Sequence, residues 1–372
     1  MKILLLSAYH AASHRHWCEI LKGHFEEHDW TMLCLPARYF SWRVRGNSLS
    51  FAFGERNLQW QDYDLLIATS MVDLSSLRGF VPALAQIPTL VYFHENQFAY
   101  PASQQQHRSI EPQILNIYTA LAADRVVFNS DYNRQTFLTG AAELLNKMPD
   151  HVPTGLVERL ESVSEVLPVP LSPISVESCR DNSAPLQVLW NHRWEYDKAP
   201  ERLFAALKQT LSSGVALDLH IVGQQFRQTP PVFTEMESYL REFYPGAIKH
   251  WGFIDNPFEY QQLLASCDVV LSTALHDFQG IAVLEAVAAG CIPVLPNRLC
   301  YGEWFADKYL YTSFADINRE ADQLTSKLSA LAASKAAGEL PDPPSVERFS
   351  MANLSKDYSR LFEQTSHSQN NS

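Results

Sequence analysis

The sequence predicts an α/β fold made of two doubly wound parallel sheets, each covered by helices. Three observations predict it. The chain has 372 residues, 46% hydrophobic and 19% charged, which suits two ordinary domains and a large core without staples. Short, continuous Val/Ile/Leu runs alternate with amphipathic stretches in both halves, as buried parallel strands and their crossover helices do. A Pro- and Ser-rich stretch with no helical period starts at Leu167 and interrupts that alternation.

In the first half, residues 2–8 read as a strand and 14–24 as a helix. Further strands are expected at 31–35, 65–69, 90–93 and 125–128, with helices at 75–85, 113–123 and 132–145. After the break, residues 186–190 read as a strand and 200–211 as a helix, with Pro200 suited to a first turn. Strands follow at 217–222, 248–253 and 268–272, then a helix at 281–289 closed by Gly290, and a strand at 291–295. Residues 349–362 place Leu354, Tyr358 and Leu361 on one helical side. The expected organisation is a Rossmann-like domain at 1–168, a linker at 169–185 and a second Rossmann-like domain at 186–345. A helix at 346–366 would pack back on the first domain, and residues 367–372 would fray. Two such domains leave a cleft between them. Ligands of such sheets bind beyond the carboxyl ends of the strands, so the loops there are the places to look for chemistry.

Composition narrows the function classes. A net charge of −12 argues against charge-driven, non-specific binding to nucleic acid or anionic membrane, though not against a local basic patch. The longest apolar stretches, 80–93 and 281–295, are broken by Pro82, Gln86 and Pro88, and by Glu285, so no membrane span is expected. The six cysteines form no CxxC pair and read as buried, reduced thiols of a cytoplasmic protein. Residues 2–6 read as a buried first strand rather than a signal peptide. Neither GxGxxG nor GxxxxGKS/T is present, which argues against a nicotinamide or flavin site and against a P-loop.

Residues 276–290 are the most informative stretch. They leave a strand, cross a loop and open a helix, so the backbone around Gln279, Gly280, Ile281 and Ala282 offers unpaired N–H donors to a phosphate. Asp277 and Glu285, eight residues apart, can face one pocket and accept hydrogen bonds from sugar hydroxyls. Glu285 also interrupts an otherwise apolar helix, where an unpaired charge is costly. A second strand-to-helix loop carries Arg193 and Lys198, a planar fork and a point charge that together suit a diphosphate; solvated surface charge is the equal alternative. A third runs straight from a strand into His94, Glu95, Asn96 and Gln97; position 98 is Phe, so the zincin motif is absent. The opening loop, 9–16, holds Ser13 among three histidines, His10, His14 and His16, whose spacing does not suit a metal. Residues 38–45 mix Arg38, Arg43 and Arg45 with Tyr39, Phe40 and Trp42, which is the composition of a nucleic-acid contact and equally of an exposed loop.

The second half resembles the retaining glycosyltransferases of family four, of GT-B fold. The match is carried by Asp277 and Glu285 ahead of the stretch from Ala288 to Val294, by the Arg193/Lys198 pair, and by His220 to Gly223 and His250 to Phe253. Asp277 stands where that family usually has Glu. The first half resembles, more narrowly, the tRNA-queuosine mannosyltransferase family. That match is carried by residues 7–16, Leu35-Pro36-Ala37 with 42–45, 92–97 with Tyr100-Pro101, 127–130 and 149–153. Ala11-Ala12 stand where that family has a Gly pair. The resemblance implies transfer of mannose, with retention, from GDP-mannose to the cyclopentene-diol of queuosine in the tRNA anticodon, with tRNA-Asp as the partner. It implies no metal, no resident cofactor and no obligate protein partner. It assigns Arg193 and Lys198 to the diphosphate together with the backbone at 279–282, Asp277 to sugar hydroxyls, Glu285 to the ribose, and His94 to the sugar or acceptor. Acceptor contacts fall to Ser13, His14, Arg38, Trp42, Arg43, Arg45, Glu95, Asn96 and Gln97. The residues themselves do not choose the hexose or the base. Two other readings stay open: the same enzyme class with a lipid, glycan or small-molecule acceptor, and a non-catalytic RNA- or partner-binding protein.

Overall fold

A computed structural model describes residues 1–55, 58–100, 109–177, 179–181 and 183–368. Pro101 and the last four residues of the expected tail lie outside them. The chain divides into two compact units, Met1–Pro170 with Phe349–Ser372, and Leu171–Arg348. No helix among the described residues is long and apolar enough to cross a membrane.

In the first unit, β1 (Lys2–His10), β2 (Asp29–Pro36), β3 (Leu65–Thr69), β4 (Thr89–Phe93), β5 (Arg125–Phe128) and β6 (Ser164–Val166) form one sheet in the order β2-β1-β3-β4-β5-β6. Every described pairing in it is parallel. The residues of β3 and β4 are all buried, which is why they read as continuous apolar runs rather than alternating ones. The connecting helices are α1 (Ala12–His24), α2 (Phe40–Gly54), α3 (Leu74–Phe80), α4 (Glu111–Leu121), α5 (Asp131–Asn146) and α6 (Leu156–Ser162).

The second unit repeats the architecture. β7 (Leu186–Trp190), β8 (Leu217–Val222), β9 (Ile248–Gly252), β10 (Val269–Leu271), β11 (Ile292–Pro296) and β12 (Leu310–Tyr311) lie in the order β12-β11-β10-β7-β8-β9, again parallel. Its helices are α7 (Pro200–Ser212), α8 (Val232–Phe243), α9 (Pro257–Ser266), α10 (Ile281–Ala288), α11 (Tyr301–Trp304) and α12 (Ile317–Ala336). The chain then returns to the first unit as α13 (Met351–Ser366). There the Trp17 indole N–H donates to the Tyr358 hydroxyl at 3.0 Å, and that hydroxyl donates to the Pro168 carbonyl at 2.9 Å. The predicted α/β class of two doubly wound parallel sheets is the observed one.

Several local expectations need correction. Residues 9–16 are not an open loop: β1 runs to His10, paired with Pro36, and α1 starts at Ala12, so Ser13 and His14 sit in a first helical turn. Residues 40–54 are the helix α2. Its pattern hides it, because it buries Arg43, Asn47 and Ser48 while exposing Trp42, Leu49 and Phe53. The buried amide is used: Asn47 Nδ2 donates to the Met71 carbonyl at 3.1 Å, and its Oδ1 accepts from the Asp73 N–H at 2.9 Å. The helix expected at 75–85 stops at Phe80, and Pro82 opens a separate 3₁₀ turn, as its missing N–H and ring clash dictate. The stretch after Leu171 is also partly pinned: Arg180 donates to the carbonyls of Cys267 and Gly290.

Candidate active site

Strand order locates the site before any side chain does. In the second unit the chain runs β7-β8-β9 to one side and β10-β11-β12 to the other, so the order reverses between β7 and β10. A crevice opens at such a reversal, beyond the carboxyl ends of the strands. The loops leaving β7 and β10 are the two that carry residues 191–199 and 272–280.

These loops are bonded into one structure. The Leu275 N–H donates to the Asp197 carbonyl at 2.8 Å, and Thr273 Oγ1 donates to the Lys198 carbonyl at 2.8 Å. Lys198 is buried; its Nζ donates to the His276 carbonyl at 2.6 Å and lies 3.5 Å from Asp277 Oδ2 and 3.6 Å from Asp197 Oδ2. Asp277 also accepts from the Gly280 N–H at 3.1 Å and from the Tyr301 hydroxyl at 3.2 Å. Burial alone would push its carboxyl up, but Lys198, with His192, His276 and the Tyr301 hydroxyl, outweighs burial and holds it below the usual carboxylate range. Asp277 is therefore ionised at neutral pH. Arg193 is half-exposed, with its guanidinium 2.7 Å from Glu195 and 3.8 Å from Asp197.

The start of α10 is set by Gly280. Its φ is +74°, and a methyl group there would stand 3.0 Å from Tyr301 Cε1, so backbone and space both require glycine. The helix opens at Ile281 and Ala282, just after buried Gln279, and its first N–H groups lack helical partners. Asn191 ties this turn to the β7 loop: its Nδ2 donates to the Ala282 carbonyl at 2.8 Å and to the Tyr260 hydroxyl at 2.9 Å. Glu285 follows within the next turn. Its carboxylate makes no hydrogen bond or ion pair among the described residues, and burial pushes it up to about 7.

In the first unit the order reverses between β1 and β3. His94 ends β4. Its ring is buried against His14, with centroids 4.2 Å apart, and against Tyr92 and Trp17. Neither of its ring nitrogens has a hydrogen-bond partner. Burial, then the neighbouring His14, His16 and His10, keeps His94 neutral, well below its ordinary value. Glu95 turns to His14, with Oε2 3.1 Å from Nε2. Asn96 faces inward and is spent on the fold: its amide donates to Asn133 and Thr136 and accepts from the N–H groups of Phe98 and Ala99. Gln97 is half-buried, with its N–H on Asn116. Ser13 is exposed on α1. Arg38 and Trp42 are exposed, Arg43 is buried, and Arg45 is held by Asp73 at 3.2 Å and Glu111 at 3.0 Å.

Within the second unit, then, Arg193, Lys198, Asp277 and residues 279–285 are brought together. The residues that sequence reasoning passed over are Asn191, Tyr301 and His192. His192 is buried with Nε2 unpartnered and is pushed down to about 3 by burial and Lys198. Asn191 and His192 lay in a loop already singled out; nothing local marks Tyr301.

The family model described as tRNA-queuosine alpha-mannosyltransferase N-terminal matches residues 2–171, and the one described as glycosyl transferases group 1 matches residues 178–340. A tRNA-queuosine alpha-mannosyltransferase of Drosophila melanogaster is 32% identical over 323 residues, covering 84% of this chain and 83% of its own. Among solved structures, HepE of Anabaena in complex with UDP aligns with a TM-score of 0.65 at 15% identity, over 98% of this chain and 100% of its own. OtsA in its apo form aligns with a TM-score of 0.62 at 14% identity, over 98% and 99%. These two likenesses show the fold, GT-B. On the identity and coverage of the Drosophila relative, the chain belongs to the tRNA-queuosine alpha-mannosyltransferase family.

Proposed function

We propose that this protein transfers mannose, with retention of configuration, from GDP-mannose to the cyclopentene-diol of queuosine in the tRNA anticodon, with tRNA-Asp as substrate. The observation that carries the donor half of this reading is the bonded pair of loops at the β7/β10 reversal, with Lys198, Asp277 and the start of α10 at one place. The acceptor half rests on family membership and on the first unit's N-terminal model match.

In this reading the second unit binds the donor. Arg193 and Lys198 face the diphosphate as the leaving group gains charge, and the first N–H groups of α10 add fixed dipoles. Preorganised donors of this kind are each worth about 100–1000-fold in rate. Asp277, ionised and fixed by Gly280 and Tyr301, accepts from sugar hydroxyls with the lone pairs left to it. Glu285 accepts from the ribose. The first unit receives the acceptor, and neutral His94 is available there as donor or acceptor to a hydroxyl. The sugar–phosphate bond breaks through an oxocarbenium-like state while the acceptor hydroxyl attacks from the same face. Its proton passes to the departing phosphate oxygen. A cytoplasmic setting fits the six unpaired cysteines.

The test is a transfer assay. The protein is incubated with queuosine-containing tRNA and a panel of GDP- and UDP-sugars, and the digested nucleosides are weighed. A hexose gained by queuosine only with GDP-mannose is expected. No gain with any donor, while a nucleotide sugar still binds, moves the acceptor to another molecule.

A further inference from the structure

The first turn of α2 sets exposed aromatic rings beside a buried arginine. Trp42 is 57% exposed and Tyr39, the residue capping the helix, is 73% exposed. The Trp42 ring is not loose. It lies flat on Gly46 one turn further along, so close that a methyl group on Gly46 would fall 2.6 Å from Cδ2 and Cζ2. The helix backbone thus supports one face of the indole and leaves the other open. Beside it, Arg43 is only 8% exposed, its Nε has no hydrogen-bond partner, and no ion pair is formed by its guanidinium among the described residues. A buried cation without a partner is costly unless an anion completes the site. Arg38 adds a second cation, 5.7 Å from the Tyr39 ring centre. Residues 36–54 hold three arginines and no acid; Arg45 is already held by Asp73 and Glu111, which leaves Arg38 and Arg43 to meet an anion.

We propose that this turn is a nucleotide seat: the Trp42 indole stacks an unpaired base of the anticodon loop, and the Arg43 guanidinium donates to a neighbouring backbone phosphate. The proposal rests on the reading that tRNA is the acceptor, and it assigns part of that recognition to a specific platform. Base–aromatic stacking tolerates any sequence, because every base has a π-face, while the phosphate contact supplies salt dependence. A rigid indole backed by glycine loses little freedom on binding, and an RNA partner accounts for the arginines, which an apolar protein partner does not.

The experiment titrates the full chain with a labelled, queuosine-containing anticodon stem-loop at several salt concentrations. Trp42→Ala is expected to weaken binding about tenfold, and Trp42→Phe to keep most of it. Gly46→Ala, which changes no charge and suits a helix, should weaken binding about threefold by lifting the indole. Arg43→Met, close in volume, should lower the slope of log affinity against log salt by about one. GDP-mannose affinity and helical circular dichroism report folding of each variant. If wild type binds the stem-loop and the folded Trp42→Ala and Gly46→Ala variants bind it equally well, the platform is refuted and the tRNA reading stands. If the wild type binds no RNA, both fall. If Trp42→Ala instead dissociates a dimer in light scattering, the face belongs to a second copy of the chain, and the nucleotide seat is refuted.

Discussion

Replacing Glu285 by Gln is expected to raise stability and lower donor affinity in the same protein. Glu285 sits in α10 without a partner, and burial lifts its carboxyl from near 4.5 to about 7. The unfolded chain therefore releases this proton at lower pH than the folded one. Stability falls as pH rises from about 4.5 to 7 and is level beyond either limit. Taken whole, the displacement corresponds to about 3 kcal/mol. The side chain keeps partial contact with water, which reduces the figure to roughly 1–2 kcal/mol. Glu285→Gln removes the buried ion and should be that much more stable at about pH 8, with the gain gone near pH 4.5, in urea unfolding. Donor binding runs the other way. Ribose hydroxyls donate to the ionised form, so binding draws a proton off, and wild-type affinity should climb up to about tenfold per pH unit below 7. In calorimetric titration the Gln variant should bind nucleotide sugar more weakly, with a flat pH profile. Equal stability of the two proteins at about pH 8 would refute the burial argument. An unchanged donor affinity in the variant would refute the ribose contact.

Four further outcomes follow from the same geometry. Arg193→Ala or Lys198→Ala should lower turnover at least tenfold in the transfer assay, consistent with a lost diphosphate donor; near-normal rates would remove their assigned role. Lys198→Ala should also destabilise the fold by about 1–3 kcal/mol in urea unfolding, because it takes the buried cation away from Asp277 and Asp197 and leaves them only their weaker partners. Gly280→Ala forces a side chain into φ +74° and against Tyr301, so a loss of about 1–3 kcal/mol in stability is expected. Because burial holds His94 neutral, the pH profile of turnover should show no inflection from it between about pH 6 and 8. An inflection that disappears in His94→Gln would contradict this.

The architecture was legible because its signals are local. The expected bounds of β3 match those observed, since a strand buried on both faces is a short, nearly unbroken apolar run, and β5, β7 and β8 keep enough of that character despite Arg125, Gln187, Asp218 and His220. Helices with a moderate apolar stripe, such as α7, announced themselves by period and by Pro200. The loops 191–199 and 272–280 were also legible, as polar residues placed where a strand ends. Neither α12 nor α2 is legible in the sequence. The reason is visible in α2, whose inward face carries Arg43, Asn47 and Ser48, with Asn47 bonded to Met71 and Asp73, which no short window of sequence brings beside it.

The alternation of strands and helices, the division near residue 170 and the identity of the candidate donor-site residues are properties of the linear chain, because hydrophobic period and turn chemistry are set by near neighbours. The order β12-β11-β10-β7-β8-β9 is not. It sets β7 beside β10 and thereby joins Lys198 to Asp277, which are far apart in sequence, and fixes Asp277 with Tyr301 from a third segment. The same three-dimensional packing turned Asn96 inward and left the Glu285 carboxylate without a partner. Each of these depends on which side chains arrive from elsewhere in the fold, and desolvation and close contact take their values only there.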